Sequence, residues 1–247
     1  MGDFYQNGNI TNLHNLSRRS FESMEEELLG FSKIRPMGLV LPSLYSELQT
    51  KALPEIISHL CEVPYLSQII IGLDRADRSQ YEHALQFFDQ LPQHHRVLWN
   101  DGPRLQAIDR ELQALGLAPE QLGKGRNVWY CFGYALATAK VESLALHDCD
   151  ILTYDRNLLA RLIYPVANPQ FHYEFCKGYY PRFANGTLNG RVSRLLVTPL
   201  IRALKTTVGN SEYLEYMDSY RYPLAGEFSF RIDVTTVRLS IDQAQLV

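Results

Sequence analysis

Apolar residues recur along the first part of the chain at two spacings, one typical of helices and one typical of strands. The run MGLVLPSL, residues 37–44, is apolar almost throughout and predicts a buried strand that is broken by Pro42. An amphipathic helix is predicted ahead of it from apolar residues three or four positions apart: Phe21, Met24, Leu28 and Phe31.

Helical and strand patterns then alternate along the chain. Helices are predicted at 46–60, 77–90, 103–115 and from Gly125 to about Lys140, and strands at 67–74 and 95–100, before the apolar run that ends in HDCDI. Such alternation predicts an α/β fold, in which a mostly parallel sheet is covered by helices on both faces.

Polar residues come at the carboxyl ends of several predicted strands. In open α/β sheets, ligands bind in the crevice beyond those ends. We therefore expect one crevice to gather Pro42, Asp74, Asn100, Asp148 and Asp150.

The stretch ESLALHDCDIL, residues 142–152, places two aspartates around Cys149 at the end of an apolar run. On a strand, Asp148 and Asp150 would share one face within about 7 Å, and two like charges so close favour a bound cation. Hard carboxylate oxygens suit Mg²⁺ or Mn²⁺, and Mg²⁺ is commonly held by one or two carboxylates together with substrate phosphates. A solvated turn at a strand end is the alternative explanation for an isolated D-x-D. His147 is predicted to point to the opposite face of the strand from Asp148, as a core histidine.

Lys124 lies between two glycines ahead of a predicted helix. Glycines let the backbone approach a phosphate closely, and a helix N-terminus offers N–H donors to it, although an ordinary loop lysine also fits. The spacing G-x-x-x-x-G-K-[ST] is absent, so the segment is not a P-loop of an ATPase.

The segment NGRVSRLL predicts a second anion pocket. Gly190, Arg191 and Ser193 would join N–H donors, a guanidinium and a hydroxyl at a helix start, while a solvated polar helix start remains the alternative. The same periodicity predicts that three apolar residues of this helix face the core, namely Val192, Leu195 and Leu196. Thr198 and Pro199 predict the start of a further helix.

Composition and charge narrow the class of protein. The 247 residues carry 46% hydrophobic and 21% charged side chains, enough for a globular core, and the net charge of -3 argues against an extended nucleic-acid surface. No apolar run approaches the roughly 20 residues that a membrane helix needs, and the first residues are too polar for a signal peptide, so we expect a cytoplasmic protein. The four cysteines form no C-x-x-C pair, which favours free thiols: Cys61, Cys131, Cys149 and Cys176.

Four motifs in this order resemble the retaining glucosyl-3-phosphoglycerate synthases, with the related mannosyl enzymes, which have the GT-A (Rossmann-like) glycosyltransferase fold. They are LPSLYSE, GKGRNVW, HDCDI and NGRVSRLLVTPLIRAL, and the resemblance runs from about Met37 to Phe230. It implies a metal-dependent transfer of glucose from a nucleotide diphosphate sugar, most simply UDP-glucose, to 3-phosphoglycerate with retention of configuration.

The resemblance also implies roles for single residues. Asp150 would hold Mg²⁺ or Mn²⁺, Arg191 would act with it in catalysis, and Gly190, Arg191 and Ser193 would bind the acceptor. The nucleotide sugar would be bound by Pro42, Ser43, Leu44, Glu47, Asp74, Lys124, Asp148 and Cys149. Glu47 is the looser match, because Tyr45 and Ser46 replace the residues that usually precede it. We also expect a homodimer, although no motif addresses the oligomeric state.

The sequence departs from the family pattern after Val234. The family continues there into a G-x-E-I-G stretch and later a histidine that completes the metal site, whereas this chain has no histidine after His172. We therefore expect a chain that is truncated relative to the family. Three parts are predicted, namely an N-terminal helical segment at 1–33, a nucleotide-sugar-binding half at 34–155 and an acceptor-binding half at 156–247.

Three alternatives stay open at this point. A mannosyl-3-phosphoglycerate synthase would use the same motifs, and a truncated nucleotide-sugar-binding protein with little activity would fit the short C-terminal part. A sugar-phosphate nucleotidyltransferase would need a Gly-rich loop after the first strand, and LPSLYSE contains no glycine.

Overall fold

A computed structural model of the chain describes residues 10–13, 20–118, 121–179, 183–184, 187–188 and 192–233. Within these, the helices are α1 Phe21–Phe31, α2 Ala52–Cys61, α3 Arg78–Phe88, α4 Pro103–Ala114, α5 Lys124–Thr138, α6 Arg156–Ala167, α7 Thr198–Val208 and α8 Glu212–Ser219. The strands are β1 Met37–Leu44, β2 Leu66–Asp74, β3 His95–Trp99, β4 Ser143–Leu146, β5 Phe175–Lys177, β6 Phe183–Ala184, β7 Thr187–Leu188 and β8 Phe228–Arg231.

The main sheet has six strands in the order β3-β2-β1-β4-β8-β5. The strands β3, β2, β1 and β4 are parallel to their neighbours, whereas β8 runs antiparallel to β4. The mostly parallel α/β sheet predicted from the alternation of patterns is therefore confirmed.

Side chains of the central strands alternate between two apolar layers. Leu39 and Leu41 of β1 belong to one buried cluster with residues of α1, α2, α3 and α6, while Val40 belongs to a second cluster with residues of α5. This alternation follows from the two-residue period of a strand, and it explains why β1 is apolar at nearly every position.

Pro42 does not break the first strand, contrary to the sequence-based prediction. It lies within β1 and is paired with Gly72 of β2 in the parallel register. On its other side, β1 pairs with β4 only from Met37 to Val40, so Pro42 lies beyond that ladder. A residue without an N–H donor is tolerated where a strand has an unpaired side.

The single helix predicted at 46–60 is instead divided. A short 3₁₀-helix, Tyr45–Gln49, follows β1 directly, and α2 begins at Ala52. The separation keeps the 3₁₀ turn at the strand end, where it carries Glu47.

The prediction that Val192, Leu195 and Leu196 face the core is wrong. Their side chains are 56%, 74% and 58% exposed, whereas Ser193 is only 5% exposed. Residues Ser193–Val197 form a π-helical stretch that leads without interruption into α7, with Pro199 in the first turn of α7. The three apolar residues are exposed alike, whereas Ser193 lies on the buried side. Periodicity indicates which residues share a helix face, and tertiary packing decides which face is buried.

The chain forms two compact units. One comprises Ser20–Cys176 and the residues from Gly226 onward, and it contains nearly the whole main sheet. The other includes Lys177–Ala225, with the helices α7 and α8. In α7 and α8, Lys205 forms ion pairs with Glu215 at 2.9 Å and Asp218 at 3.3 Å, which join the two helices.

None of the helices in the described parts of the chain is both long and apolar enough to cross a membrane.

Candidate functional site

The strand order changes direction between β1 and β4. From β1 the chain proceeds outward through β2 and β3, and it then returns to place β4 on the other side of β1. Helix N-termini and loops diverge at such a switch point and leave a crevice beyond the strand ends, which is where ligands bind in this class of sheet. The residues after Leu44 and after Leu146 border this crevice.

Glu47 forms one wall of the crevice. Its Oε2 accepts a hydrogen bond of 2.8 Å from the backbone N–H of Leu44, which fastens the 3₁₀ turn to the end of β1. Burial raises the pKa of Glu47 above its ordinary value, and the negative charges of Asp150 and Asp148 raise it further, while hydrogen bonds from Leu44 and Ser43 oppose the shift. The three carboxylates therefore share one electrostatic environment.

The two aspartates of HDCDI lie in a turn and not on the strand. β4 ends at Leu146, so the strand alternation used to place Asp148 and Asp150 on one face does not apply to them. The side chain of Asp148 is 26% exposed, and Asp150 is an exposed residue. Both carboxylates nevertheless act electrostatically on Glu47, so negative charge is concentrated at this end of the sheet.

Lys124 contributes a positive charge to this crevice. Its Nζ donates to Oδ1 of Asp148, although the two residues are 24 positions apart in the chain. Lys124 is the first residue of α5, and Gly123 before it has φ of 150°, a conformation that a residue with a side chain rarely adopts. The glycine therefore allows the sharp entry into α5 that brings the ammonium group to the aspartate.

Cys149 and Ser43 lie beneath the carboxylates. Both are buried to within 1% exposure, and Cys149 belongs to the larger apolar cluster. Burial raises the pKa of the Cys149 thiol well above its ordinary value, which keeps it protonated and inert. Any contact of Cys149 with a ligand would therefore come from its backbone.

Asp74 and Asn100 meet at the ends of β2 and β3. Asn100 Nδ2 donates to Asp74 Oδ1 at 3.0 Å, and burial raises the pKa of Asp74 while this hydrogen bond lowers it. Leu44 is paired with Asp74 in the register of β1 and β2, so these residues belong to the same edge of the sheet as Glu47. Arg75 has φ of 55°, an uncommon conformation for a residue with a side chain that is enriched next to functional sites.

Sequence reasoning missed the contacts that hold α5 in place. Asn127 Nδ2 donates to the carbonyl of Gly72 at 2.9 Å, and a Cβ on Gly72 would lie 1.7 Å from Asn127 Oδ1. Asp109 of α4 accepts from the hydroxyl of Tyr130 and lies 3.6 Å from Nη2 of Arg126. The only sequence signal for these contacts was a glycine in the apolar run of β2, which often marks a close backbone approach.

The predicted acceptor segment is only partly described. Gly190 and Arg191 lie outside the described residues. Ser193 is buried, and its Oγ has no hydrogen-bond partner in the described structure. A buried hydroxyl without a partner is costly, so this oxygen has unused capacity to bind a polar ligand or water.

The carboxylates suit a divalent ion that is shared with a ligand. Across the described ranges, no group of three or more His, Cys, Asp or Glu side chains is arranged to hold a metal alone. The exposed carboxylate of Asp150 nevertheless provides hard oxygen donors, and ions such as Mg²⁺ and Mn²⁺ are commonly completed by substrate phosphates. The donor set therefore fits a metal bound jointly by this chain and a diphosphate.

The chain has the fold of the GT-A glycosyltransferases. Two structures of glucosyl-3-phosphoglycerate synthase from Mycobacterium tuberculosis are similar to this chain at 20% identity and a TM-score of 0.56. One is a complex with phosphoglyceric acid and covers 86% of this chain and 62% of its own. The other is a complex with Mn²⁺, uridine diphosphate and glucosyl-3-phosphoglycerate and covers 91% of this chain and 65% of its own.

Sequence comparison finds curated relatives of this chain. The chain is 47% identical over 230 residues to glucosyl-3-phosphoglycerate synthase of Persephonella marina and 37% identical over 244 residues to that of Methanococcoides burtonii. It is therefore homologous to the glucosyl-3-phosphoglycerate synthases, which confirms the resemblance drawn from the four motifs. No family model matches the chain.

The match covers 93% and 97% of this chain but only 57% and 59% of the two relatives. The chain thus spans a little over half of the length of the curated relatives it matches.

Proposed function

We propose that this chain binds a nucleotide diphosphate sugar, UDP-glucose in the first instance, and transfers glucose from it to 3-phosphoglycerate with retention of configuration. The observation that carries the proposal is the crevice at the switch point, where Lys124, Asp148, Asp150 and Glu47 converge in a chain 47% identical to a glucosyl-3-phosphoglycerate synthase. The chemistry of these side chains is that of a diphosphate site, because an ammonium group lies beside hard carboxylate oxygens.

The residues at this edge of the sheet have different roles in binding the nucleotide sugar. Lys124 adds positive charge beside the diphosphate, Asp148 holds Lys124 and the ribose in place, and Asp150 is the metal ligand. The end of β1, the 3₁₀ turn after it, the end of β2 and the turn after β4 shape the pocket for the nucleotide sugar. To this pocket we assign Pro42, Ser43, Leu44, Glu47, Asp74 and the backbone of Cys149.

Bond cleavage at the anomeric carbon leaves negative charge on the departing diphosphate. A divalent ion, Mn²⁺ or Mg²⁺, would stabilise this charge as a Lewis acid when it is bound. Lys124 stabilises the same charge from the N-terminus of α5, where the positive end of the helix dipole and unpaired N–H groups add to it.

The acceptor is assigned to the segment that contains Gly190, Arg191 and Ser193. An arginine can bind phosphate or carboxylate through two parallel hydrogen bonds, which would orient the acceptor hydroxyl toward the anomeric carbon. The buried Oγ of Ser193, which has no hydrogen-bond partner in the described structure, supports a polar ligand at this segment. Arg191 is therefore assigned to catalysis as well as to acceptor binding.

A homodimer and a cytoplasmic location belong to the same proposal. Light scattering of the purified chain measures its mass in solution, and a mass near twice 28.4 kDa supports the dimer.

Binding and transfer are tested separately because the chain spans only part of the curated relatives. Calorimetry with UDP-glucose, with and without MnCl₂ or MgCl₂, measures donor binding and its dependence on metal. Release of UDP on addition of 3-phosphoglycerate measures transfer, with GDP-mannose as the competing donor. Transfer from UDP-glucose supports the full proposal. Binding without transfer limits the proposed role to binding of a nucleotide sugar. A preference for GDP-mannose over UDP-glucose changes the transferred sugar in the proposal from glucose to mannose. Absence of metal-dependent binding refutes it.

A further inference from the structure

Gly226 touches the carboxylate of Asp148 directly. A Cβ atom added at Gly226 would lie 2.6 Å from Oδ2, 2.8 Å from Oδ1 and 3.0 Å from Cγ of Asp148. These separations are shorter than real Cβ contacts, so a side chain at position 226 would require the carboxylate of Asp148 to move.

The register of the sheet explains why the two residues meet. Leu146 at the end of β4 is paired with Phe228 at the start of antiparallel β8. Asp148 and Gly226 each lie two residues beyond this pair, in the turn after β4 and in the segment before β8. The antiparallel pairing of β4 and β8 brings these two segments together, and the contact itself is made outside the strands.

The reason for glycine at position 226 is space and not backbone conformation. Gly226 is absent from the glycines with positive φ, which are Gly116, Gly123 and Gly209. Its own backbone conformation is therefore open to alanine, and only the neighbouring carboxylate argues against a side chain.

The carboxylate of Asp148 contacts the ammonium group of Lys124 and fills the space that a Cβ atom at position 226 would take. The aspartate side chain has only two torsion angles, so a methyl group at position 226 can be accommodated by rotating the carboxylate away. Such a rotation changes the contact with Lys124 and the place of the negative charge in the crevice.

We propose that Gly226 is a positioning residue, which fixes the carboxylate of Asp148 against Lys124 for binding of the nucleoside diphosphate. The inference rests on the proposed function and deepens it, because it names a residue outside the donor loops that sets their geometry. Gly226 itself contacts neither substrate nor metal in this scheme, and it acts only through Asp148.

The test is a double-mutant cycle in which UDP in the presence of MnCl₂ is the titrated ligand. The variants are Gly226→Ala, Asp148→Ala and the double variant, with Gly30→Ala as the control because nothing lies within 4 Å of a Cβ at Gly30. We expect Gly226→Ala to weaken UDP binding by about tenfold, as displacement of a positioned group by about 1 Å can do. In the Asp148→Ala background the same change should alter the affinity by less than about twofold, because groups that act through one another are not additive. Gly30→Ala should leave the affinity unchanged.

Several outcomes would overturn the inference. Equal weakening by Gly226→Ala in both backgrounds would show that Gly226 does not act through Asp148, and an unchanged affinity in Gly226→Ala would remove its role altogether. If Gly226→Ala fails to fold, the double variant is measured instead, because removal of the Asp148 carboxylate also removes the clash. A double variant that folds and binds UDP with the affinity of Asp148→Ala supports the inference. A double variant that also fails to fold overturns it. If the unmodified chain binds no UDP, the proposed function falls and the inference falls with it, whereas the other outcomes leave the proposed function intact.

Discussion

The ammonium group of Lys124 contacts the carboxylate of Asp148 across the crevice at the switch point of the sheet. One residue begins α5 and the other follows β4, so the contact joins a helix N-terminus to a strand end. A diphosphate that enters this crevice meets a lysine whose charge is already compensated. The ion pair therefore keeps the lysine in place without ligand and has to adjust when phosphate oxygens arrive.

Substitution Lys124→Met should affect binding far more than folding. The side chains of Lys124 and Asp148 are 47% and 26% exposed, and ion pairs near the surface contribute only about 0 to 1 kcal/mol to stability. We expect UDP affinity in MnCl₂ to fall by about tenfold or more, the size of one lost hydrogen bond to a charged group. Calorimetry measures the affinity, and chemical denaturation measures the stability. Lys140→Met is the control, since it removes a lysine that contacts His94 on the surface. A large loss of stability in Lys124→Met would assign this residue to folding.

Substitutions should affect metal-dependent donor binding and acceptor use separately. Asp150→Asn removes the carboxylate charge assigned to the metal, so metal-dependent binding of UDP-glucose should be lost, while Arg191→Ala should spare it and weaken only the use of 3-phosphoglycerate. Binding is measured by titration with MnCl₂, and acceptor use by release of UDP as the concentration of 3-phosphoglycerate is varied. The same loss in both assays for both variants would contradict this division.

Buried His147 predicts a loss of stability in acid. Burial lowers the pKa of His147 from 6.5 to about 3, and both ring nitrogens are without hydrogen-bond partners in the described structure. Below pH 6.5 the unfolded chain binds a proton that the folded chain does not, so the stability contributed by neutral His147 is complete above pH 6.5 and is lost as the pH falls toward 3. The loss is about 1.4 kcal/mol per pH unit, or about 2 kcal/mol at pH 5.

Urea denaturation of the chain and of His147→Phe between pH 7.5 and 5 measures this effect. Phenylalanine retains an aromatic ring beside Tyr154, whose ring centre lies 5.4 Å from that of His147, and it has no proton to gain. The free energy of unfolding of the unmodified chain should fall relative to that of His147→Phe as the pH is lowered toward 5. A difference that is constant over this range would mean that His147 does not titrate on unfolding.

Substitution Gly72→Ala should destabilise the fold itself. The new Cβ would lie 1.7 Å from Oδ1 of Asn127, and the displaced amide would lose its hydrogen bond to the Gly72 carbonyl. Overpacking of a well-packed core costs about 1 to 3 kcal/mol, and the lost buried hydrogen bond adds to it. Thermal unfolding should show a lower midpoint than for Gly133→Ala, where a Cβ meets nothing within 4 Å. Equal midpoints would show that Asn127 moves aside without cost.

The sequence was sufficient for the elements that depend on local periodicity. Alternation of apolar helical and strand patterns predicted the mostly parallel sheet, and polar residues after the strands marked the edge where Glu47, Asp148 and Asp150 meet. Four motifs in the correct order indicated a family resemblance more specifically than any of these patterns. The sequence failed at Leu195, because periodicity indicates which residues share a helix face and tertiary packing decides whether that face is buried.

Local patterns along the chain thus determined the order of elements, the class of fold and the charged groups at the strand ends, since each depends on neighbours within a few residues. The tertiary structure alone decided that Lys124 contacts Asp148, that Gly226 leaves room for that carboxylate and that Asn127 approaches Gly72. These contacts join residues that are far apart in the chain, and they depend on strand order and register, which no local spacing of apolar residues encodes.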